Sequence, residues 1–223
     1  PFQGIPINPT TILVNELPGY LTNASSEAWK QKLAALVKDW IVMDTSVQGV
    51  CETLDDVITT DNNAATTTKK PTLLLHLGVH YKALGFHLEQ CAYNDASFRV
   101  PDQCGYQPQE QTIIKSQALG ETLTTMLNVS ELVDHQLHRF PDVQSKISTD
   151  PGRFVCNYTY CYSMHHVRRP CLFLHVPKFE VVPKDVQLEY VACLLQKMVE
   201  QVLVAGGEAD APKEVGENPN EGQ

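Results

Sequence analysis

A mostly parallel, twisted sheet with helices on both faces, folded as a single three-layer α/β domain, is the architecture this 223-residue sequence predicts. Helix-like and strand-like segments alternate along the chain, the pattern that produces parallel sheets through crossover helices. The runs Thr72 to Val79 and Cys171 to Val176 are apolar almost throughout, as strands buried on both faces are. At this length, 43% hydrophobic residues are enough for one sizeable core.

Asn8-Pro9 is a helix start, an asparagine cap with proline at the first position, leading a segment to about Leu21. Ser26 to Val37 reads as helical, Trp40 to Met43 as extended, and Val47 to Ile58 as helical again; Asp61 to Lys70 is a polar linker. The Thr72 strand is followed by Leu84 to Asn94, an alternating run read as one strand. A long irregular loop then runs from about Asp95 to Leu119 and is expected to fold over the site. Val129 to Phe140 is a helix capped by Asn128 or Ser130, and Lys146-Ile-Ser is a short strand. Asp185 to Val204 closes the domain as an amphipathic helix with Leu188, Val191, Leu194, Leu195 and Val202 on or near one face. The fold is expected to occupy residues 1–204. Residues 205–223, rich in Gly, Pro and Glu with almost nothing apolar, read as a disordered acidic tail.

Cys156, in Gly152 to Tyr160, is the most informative residue. Asp150-Pro-Gly152 is turn chemistry, and Phe154, Val155, Tyr158 and Tyr162 then recur at helical spacing, so the thiol falls in a helix's first turn. Unpaired backbone N–H groups and the positive end of the helix dipole favour a thiolate there. His175 stands near the C-terminal edge of the Cys171 strand, where functional groups of open α/β sheets gather. Glu89 is a charge in an otherwise apolar strand; it needs a partner, and a histidine needing orientation would supply one. Each residue also has a plainer reading: an inert buried thiol, a satisfied core histidine, a solvated edge-strand glutamate.

Taken together, Leu77 to Asp102, Asp150 to Ser163 and Cys171 to Pro177 resemble, in content, order and spacing, the pyroglutamyl peptidase I family, also called pyrrolidone carboxyl peptidases. The resemblance covers roughly residues 1–200 and is weakest between about 20 and 70. It implies a cysteine peptidase without a cofactor that removes N-terminal pyroglutamate from peptides, with Cys156 as nucleophile, His175 as base and Glu89 as the residue that orients it. It also implies that Arg99 and Asp102 lie in a loop near the centre, and that Phe2, Val100, Phe154 and Val155 line the apolar slot for the lactam ring. Arg99 reads equally as the partner of a surface salt bridge with Asp95 or Asp102. The family pattern has a short apolar strand ahead of the PFQG that opens this sequence, so that strand is expected to be missing here. Pro151 stands where alanine is usual, and Cys161 where tyrosine is common.

With 26 acidic against 17 basic residues, the net charge of −9 argues against nucleic acid and anionic membranes as partners. Seven cysteines in no framework spacing suit a reducing compartment, and with no visible signal peptide or membrane-length segment the expectation is cytoplasmic. The sequons at Asn23, Asn128 and Asn157 are read as chance occurrences. The spacing of Cys156, Cys161, His165, His166, Cys171 and His175 matches no paired zinc pattern, so no metal is expected. Nothing in the sequence marks an oligomer interface. Two alternatives stay open: an inactive family member that binds pyroglutamyl peptides, and a thiol redox protein with Cys161 or Cys171 as resolving partner of Cys156.

Overall fold

The computed structural model describes residues 8–23, 25, 27–63 and 72–209. The chain is mixed α/β, with a sheet most of whose neighbouring strands run parallel.

Helix α1 (Pro9–Thr22) starts as its sequence demands: the Asn8 side chain accepts from the Thr10 N–H at 3.1 Å and proline holds the first position. Leu13, Leu17 and Leu21, one turn apart, form its buried stripe. Helix α2 (Ala28–Leu36) buries Leu33 alone. The residues between α2 and α3 (Val47–Asn63), expected to be extended around Trp40 to Met43, join no strand ladder among the described residues. Ile41 and Val42 are 47% and 51% exposed there. Of the expected polar linker from Asp61 to Lys70, the first three residues continue α3, and 64–71 lie outside the described residues.

Four strands, β1 (Leu74–Val79), β2 (Phe86–Glu89), β5 (Ser145–Ser148) and β6 (Cys171–Val176), form a sheet in the order β1-β6-β2-β5. The pairs β1/β6 and β2/β5 are parallel, whereas β2/β6 is antiparallel. Every residue of β6 is buried, and its side chains divide by alternation. Leu172, Leu174 and Val176 join a core with α1, α4 (Val129–Arg139) and α6 (Lys184–Ala209). Cys171 and Phe173 join one with α3 and α5 (Val155–Tyr162). Helices therefore pack on both faces of the sheet.

The run Leu84 to Asn94, expected as one strand, divides at Gln90. The Gln90 N–H still donates to Ser148 in the main sheet, while its carbonyl accepts from Thr125; beyond it, β3 (Cys91–Tyr93) pairs with β4 (Thr122–Thr124) in a separate two-stranded sheet. The alternation itself fails at the break, where the polar pair Glu89-Gln90 is followed by the apolar pair Cys91-Ala92, a signal that the one-strand reading passed over. Asn128 is the cap of α4, accepting from the Glu131 N–H at 3.2 Å. Helix α6 continues to Ala209, past the expected limit near Val204. Residues 210–223 lie outside the described residues. No helix among the described residues is long and apolar enough to cross a membrane.

Candidate active site

Gly152 turns the chain into α5 with φ +80°, a conformation that glycine adopts without strain, and its N–H donates to Asp150 Oδ1 at 3.1 Å. Phe154 caps the helix, so Cys156 is the second residue of α5, where the first-turn N–H groups have no intrahelical acceptor. Asn157, completely buried, holds this turn in place. Its Oδ1 accepts from the Tyr93 N–H at 2.8 Å, and its Nδ2 donates to the carbonyls of Tyr93 and Asp95, each at 2.9 Å. Its sequon is therefore a buried structural amide. One turn on, the Tyr160 hydroxyl donates to the Glu89 carbonyl at 2.9 Å, tying α5 to β2.

Glu89 and His175 meet across the antiparallel β2/β6 pair, with Glu89 directly opposite Phe173 and reaching diagonally to the histidine. Glu89 is 0% exposed and His175 5%, and Oε1 lies 2.7 Å from Nδ1. Glu89 is thus a buried residue of an interior strand, not the solvated edge-strand glutamate its sequence also allowed. Cys156 lies on the other side of this region, its Sγ against Gly78, the strand partner of His175, and it acts on the charge of the same imidazole. Burial works against a charged His175. The interactions with Cys156 and Glu89 outweigh it and raise the group from its ordinary value to about 9. An imidazolium therefore persists there at neutral pH, beside a half-buried free thiol.

Gly78, at the end of β1 and in register with His175, makes room for this arrangement. A Cβ there would lie 2.7 Å from two Phe173 ring carbons and 3.2 Å from Cys156 Sγ. Phe173 is a core side chain and cannot swing away. Gly78→Ala is therefore expected to lower stability by about 1–3 kcal/mol and to change the alkylation rate of Cys156. Chemical denaturation and peptide-resolved iodoacetamide labelling measure both; a parent-like midpoint and rate would contradict this packing.

The loop after β3 reaches the helix start through Phe98, fully buried with its ring 4.8 Å from that of Phe154. Asn94 pins the loop from inside: Nδ2 donates to the carbonyls of Ile114, Gln117 and Ala118, and Oδ1 accepts from the Ile114 N–H. Arg99 is exposed and forms no ion pair among the described residues. Of the two aspartates its sequence offered as partners, Asp95 pairs with Arg153 at 3.4 Å and Asp102 is occupied by backbone. Asp102 Oδ2 accepts from the Val47 N–H at the start of α3, and Oδ1 from those of Cys104 and Tyr106, all at 2.9 Å. Asp102→Ala is expected to cost about 2–3 kcal/mol by stranding these donors, and Asp102→Asn less, as a thermal melt would show. Of the expected slot residues, Val155 is buried and Val100 and Phe154 half-buried; Phe2 lies outside the described residues.

Cys161 and Cys171 are buried, and burial pushes both thiols up to about 12. Among the described residues, no group of three or more His, Cys, Asp or Glu side chains is placed to hold a metal ion. Sequence reasoning missed Asn157, Asn94 and Gly78. The unusual burial of two asparagines has no signature in a single sequence, and only the glycine in the HLGV run hinted at a close approach.

Residues 1–210 match the family model described as pyroglutamyl peptidase. The pyroglutamyl-peptidase 1 of Rattus norvegicus is 26% identical over 133 residues, 60% of this chain and 61% of that protein, so the match spans about three-fifths of the mammalian relative. The pyrrolidone-carboxylate peptidase of Pyrococcus furiosus is 22% identical over 91% of this chain and 96% of its own. Among solved structures, the pyrrolidone carboxyl peptidase of Thermus thermophilus superposes with a TM-score of 0.66 at 22% identity, covering 88% of this chain and 95% of that one. A mutant of the P. furiosus enzyme gives 0.68 at 19%, covering 91% and 95%. At these identities the structural likeness is one of fold.

Proposed function

The chain belongs to the pyroglutamyl peptidase family, and from that premise we propose that it is a cysteine exopeptidase that removes N-terminal pyroglutamate from peptides. The observation that carries the proposal is the convergence of three groups contributed by different elements: Glu89 Oε1 on His175 Nδ1, and Cys156 Sγ against Gly78, the strand partner of His175. In this reading the proton that Cys156 gives up is held on His175, and Glu89 orients the imidazolium and stabilises its charge. The Cys156 thiolate attacks the acyl carbon joining the pyroglutamyl ring to the next residue. First-turn N–H groups of α5, with Arg99 in support, stabilise the oxyanion. His175 then gives its proton to the leaving amine. Water, deprotonated by the same histidine, opens the thioester to release 5-oxoproline.

Phe154, Val155 and Val100, with Phe2, form the lactam slot of this reading. The ring is neutral and compact and suits an apolar surface, whereas a charged amino terminus would be desolvated there without a partner. Seven free thiols are consistent with a reducing compartment such as the cytoplasm. A resolving role for Cys161 or Cys171 is disfavoured, because burial keeps both in the thiol form.

The test is hydrolysis of pyroglutamyl-, prolyl- and glutaminyl-aminomethylcoumarin, with 5-oxoproline identified as the acid product. Cleavage of the pyroglutamyl compound alone supports the proposal; equal cleavage of the prolyl compound would replace it with a broader aminopeptidase reading.

A further inference from the structure

Building on the peptidase reading, we propose that His80 is a positioning residue of this site: its imidazole, backed by His87, packs edge-on against His175 and sets both the orientation of that ring and the acid limb of the activity. The His175 ring has four neighbours. Glu89 holds its Nδ1, Cys156 acts on its charge, Phe173 lies against it with centroids 4.9 Å apart at 53°, and His80 meets it at 5.8 Å and 89°. His80 is itself fixed. Its N–H donates to the Val176 carbonyl at 2.9 Å, its own carbonyl accepts from the Ala83 N–H at 2.8 Å, and its ring sits 5.1 Å from that of His87. His87 stands directly opposite His175 across the β2/β6 pair, so three imidazoles share one end of the sheet.

The groups facing His80 are unequally charged. His175 comes from β6, His87 and Glu89 from β2 and Lys146 from β5; Cys156 of α5 lies beyond His175, and Tyr81 and Lys82 follow in the same turn. Glu89 Oε1 is committed to His175, and Glu89 Oε2 and His80 Nδ1 are each buried without a hydrogen-bond partner among the described residues. Burial, together with the nearby His175 charge, lowers the affinity of His80 for a proton; His87 is lowered to about 4 by burial, with Lys146 adding to it. The two rings therefore stay neutral while His175 carries its proton. In acid, His175, raised to about 9, keeps its proton, so a proton on His80 adds a second cation on the side of the thiolate it faces and favours that anion. A phenyl ring would preserve the edge-on packing but cannot charge; an amide can do neither.

The experiment compares the parent, His80→Phe and His80→Gln from pH 4.5 to 9. It measures kcat and KM on pyroglutamyl-aminomethylcoumarin and, independently of any substrate, the rate of iodoacetamide alkylation at Cys156 by peptide mapping, with a thermal melt of each protein. The acid limb of both profiles is expected to move to higher pH by about half a unit or more in both variants. Plateau kcat is expected to stay within about twofold for His80→Phe and to fall about tenfold for His80→Gln, with KM little changed. Acid limbs that superimpose on the parent's in both variants would overturn the proposal. A parent that does not cleave the substrate but whose alkylation limb moves on substitution would instead remove the peptidase reading and leave the positioning role standing.

Discussion

Glu89→Gln is expected to lower kcat/KM on a pyroglutamyl amide by about 10³–10⁴-fold while the protein still folds. The carboxylate is fully buried, and its Oε1 is the partner that His175 Nδ1 has at 2.7 Å. An amide can occupy that position but carries no charge, so the imidazolium loses its counterion and the thiolate opposite loses its partner. Glu89→Ala goes further. It leaves a histidine that is 5% exposed without the carboxylate that holds its proton, at a cost of about 3–5 kcal/mol in stability. The pH dependence follows from the direction of the His175 shift. Folding raises the group from its ordinary value near 6.5 to about 9, so the folded state binds this proton more tightly than the unfolded chain. Its contribution is fully present below about pH 6.5 and is lost as pH rises through 9, on the order of 2–3 kcal/mol. Denaturant titrations at pH 6 and 9.5 should show this loss in the parent and a flatter profile in Glu89→Gln. An unchanged profile in the variant would mean that Glu89 does not hold the His175 proton.

Cys156→Ala carries the largest expected effect, a loss of at least about 10⁴-fold in kcat/KM, because no other side chain can form the thioester. Cys156→Ser is expected to be almost as severe. A serine hydroxyl is a far weaker acid, and a histidine already protonated at neutral pH is a poor base for it. Neither change should move the denaturation midpoint by more than about 1 kcal/mol, since the thiol is only half-buried and His175 retains Glu89. Activity and stability therefore separate at Cys156 and fall together in Glu89→Ala. That contrast distinguishes a nucleophile from the buried charge that organises it.

The parts of this site readable in the sequence were those with a local signature. The turn at Gly152, the first-turn cysteine and the apolar strand carrying His175 are each written in a few consecutive residues, and all three elements form where expected. The candidate triad was visible as residue types, but its geometry depends on β2 running antiparallel to β6, an orientation set by connections rather than by strand composition. Leu84 to Asn94 read as one strand although the alternation fails at Glu89-Gln90, where the chain passes between sheets. Asp102 was associated with the site through its loop, and its partner at Val47, 55 positions away, lies beyond any local pattern. Asn157 and Asn94 were illegible in the same way, because a buried asparagine is defined by the carbonyls around it and those come from remote segments. His80 and His87 carry no local signature, and only the sheet places them beside His175.

The most direct test of the central claim is release of a fluorescent amine from a pyroglutamyl amide under reducing conditions by the parent and by Cys156→Ala. Turnover by the parent and none by the variant, with both proteins melting alike, is the result expected of a peptidase acting through Cys156. Equal rates from the two proteins, or no turnover by a well-folded full-length parent, would contradict it.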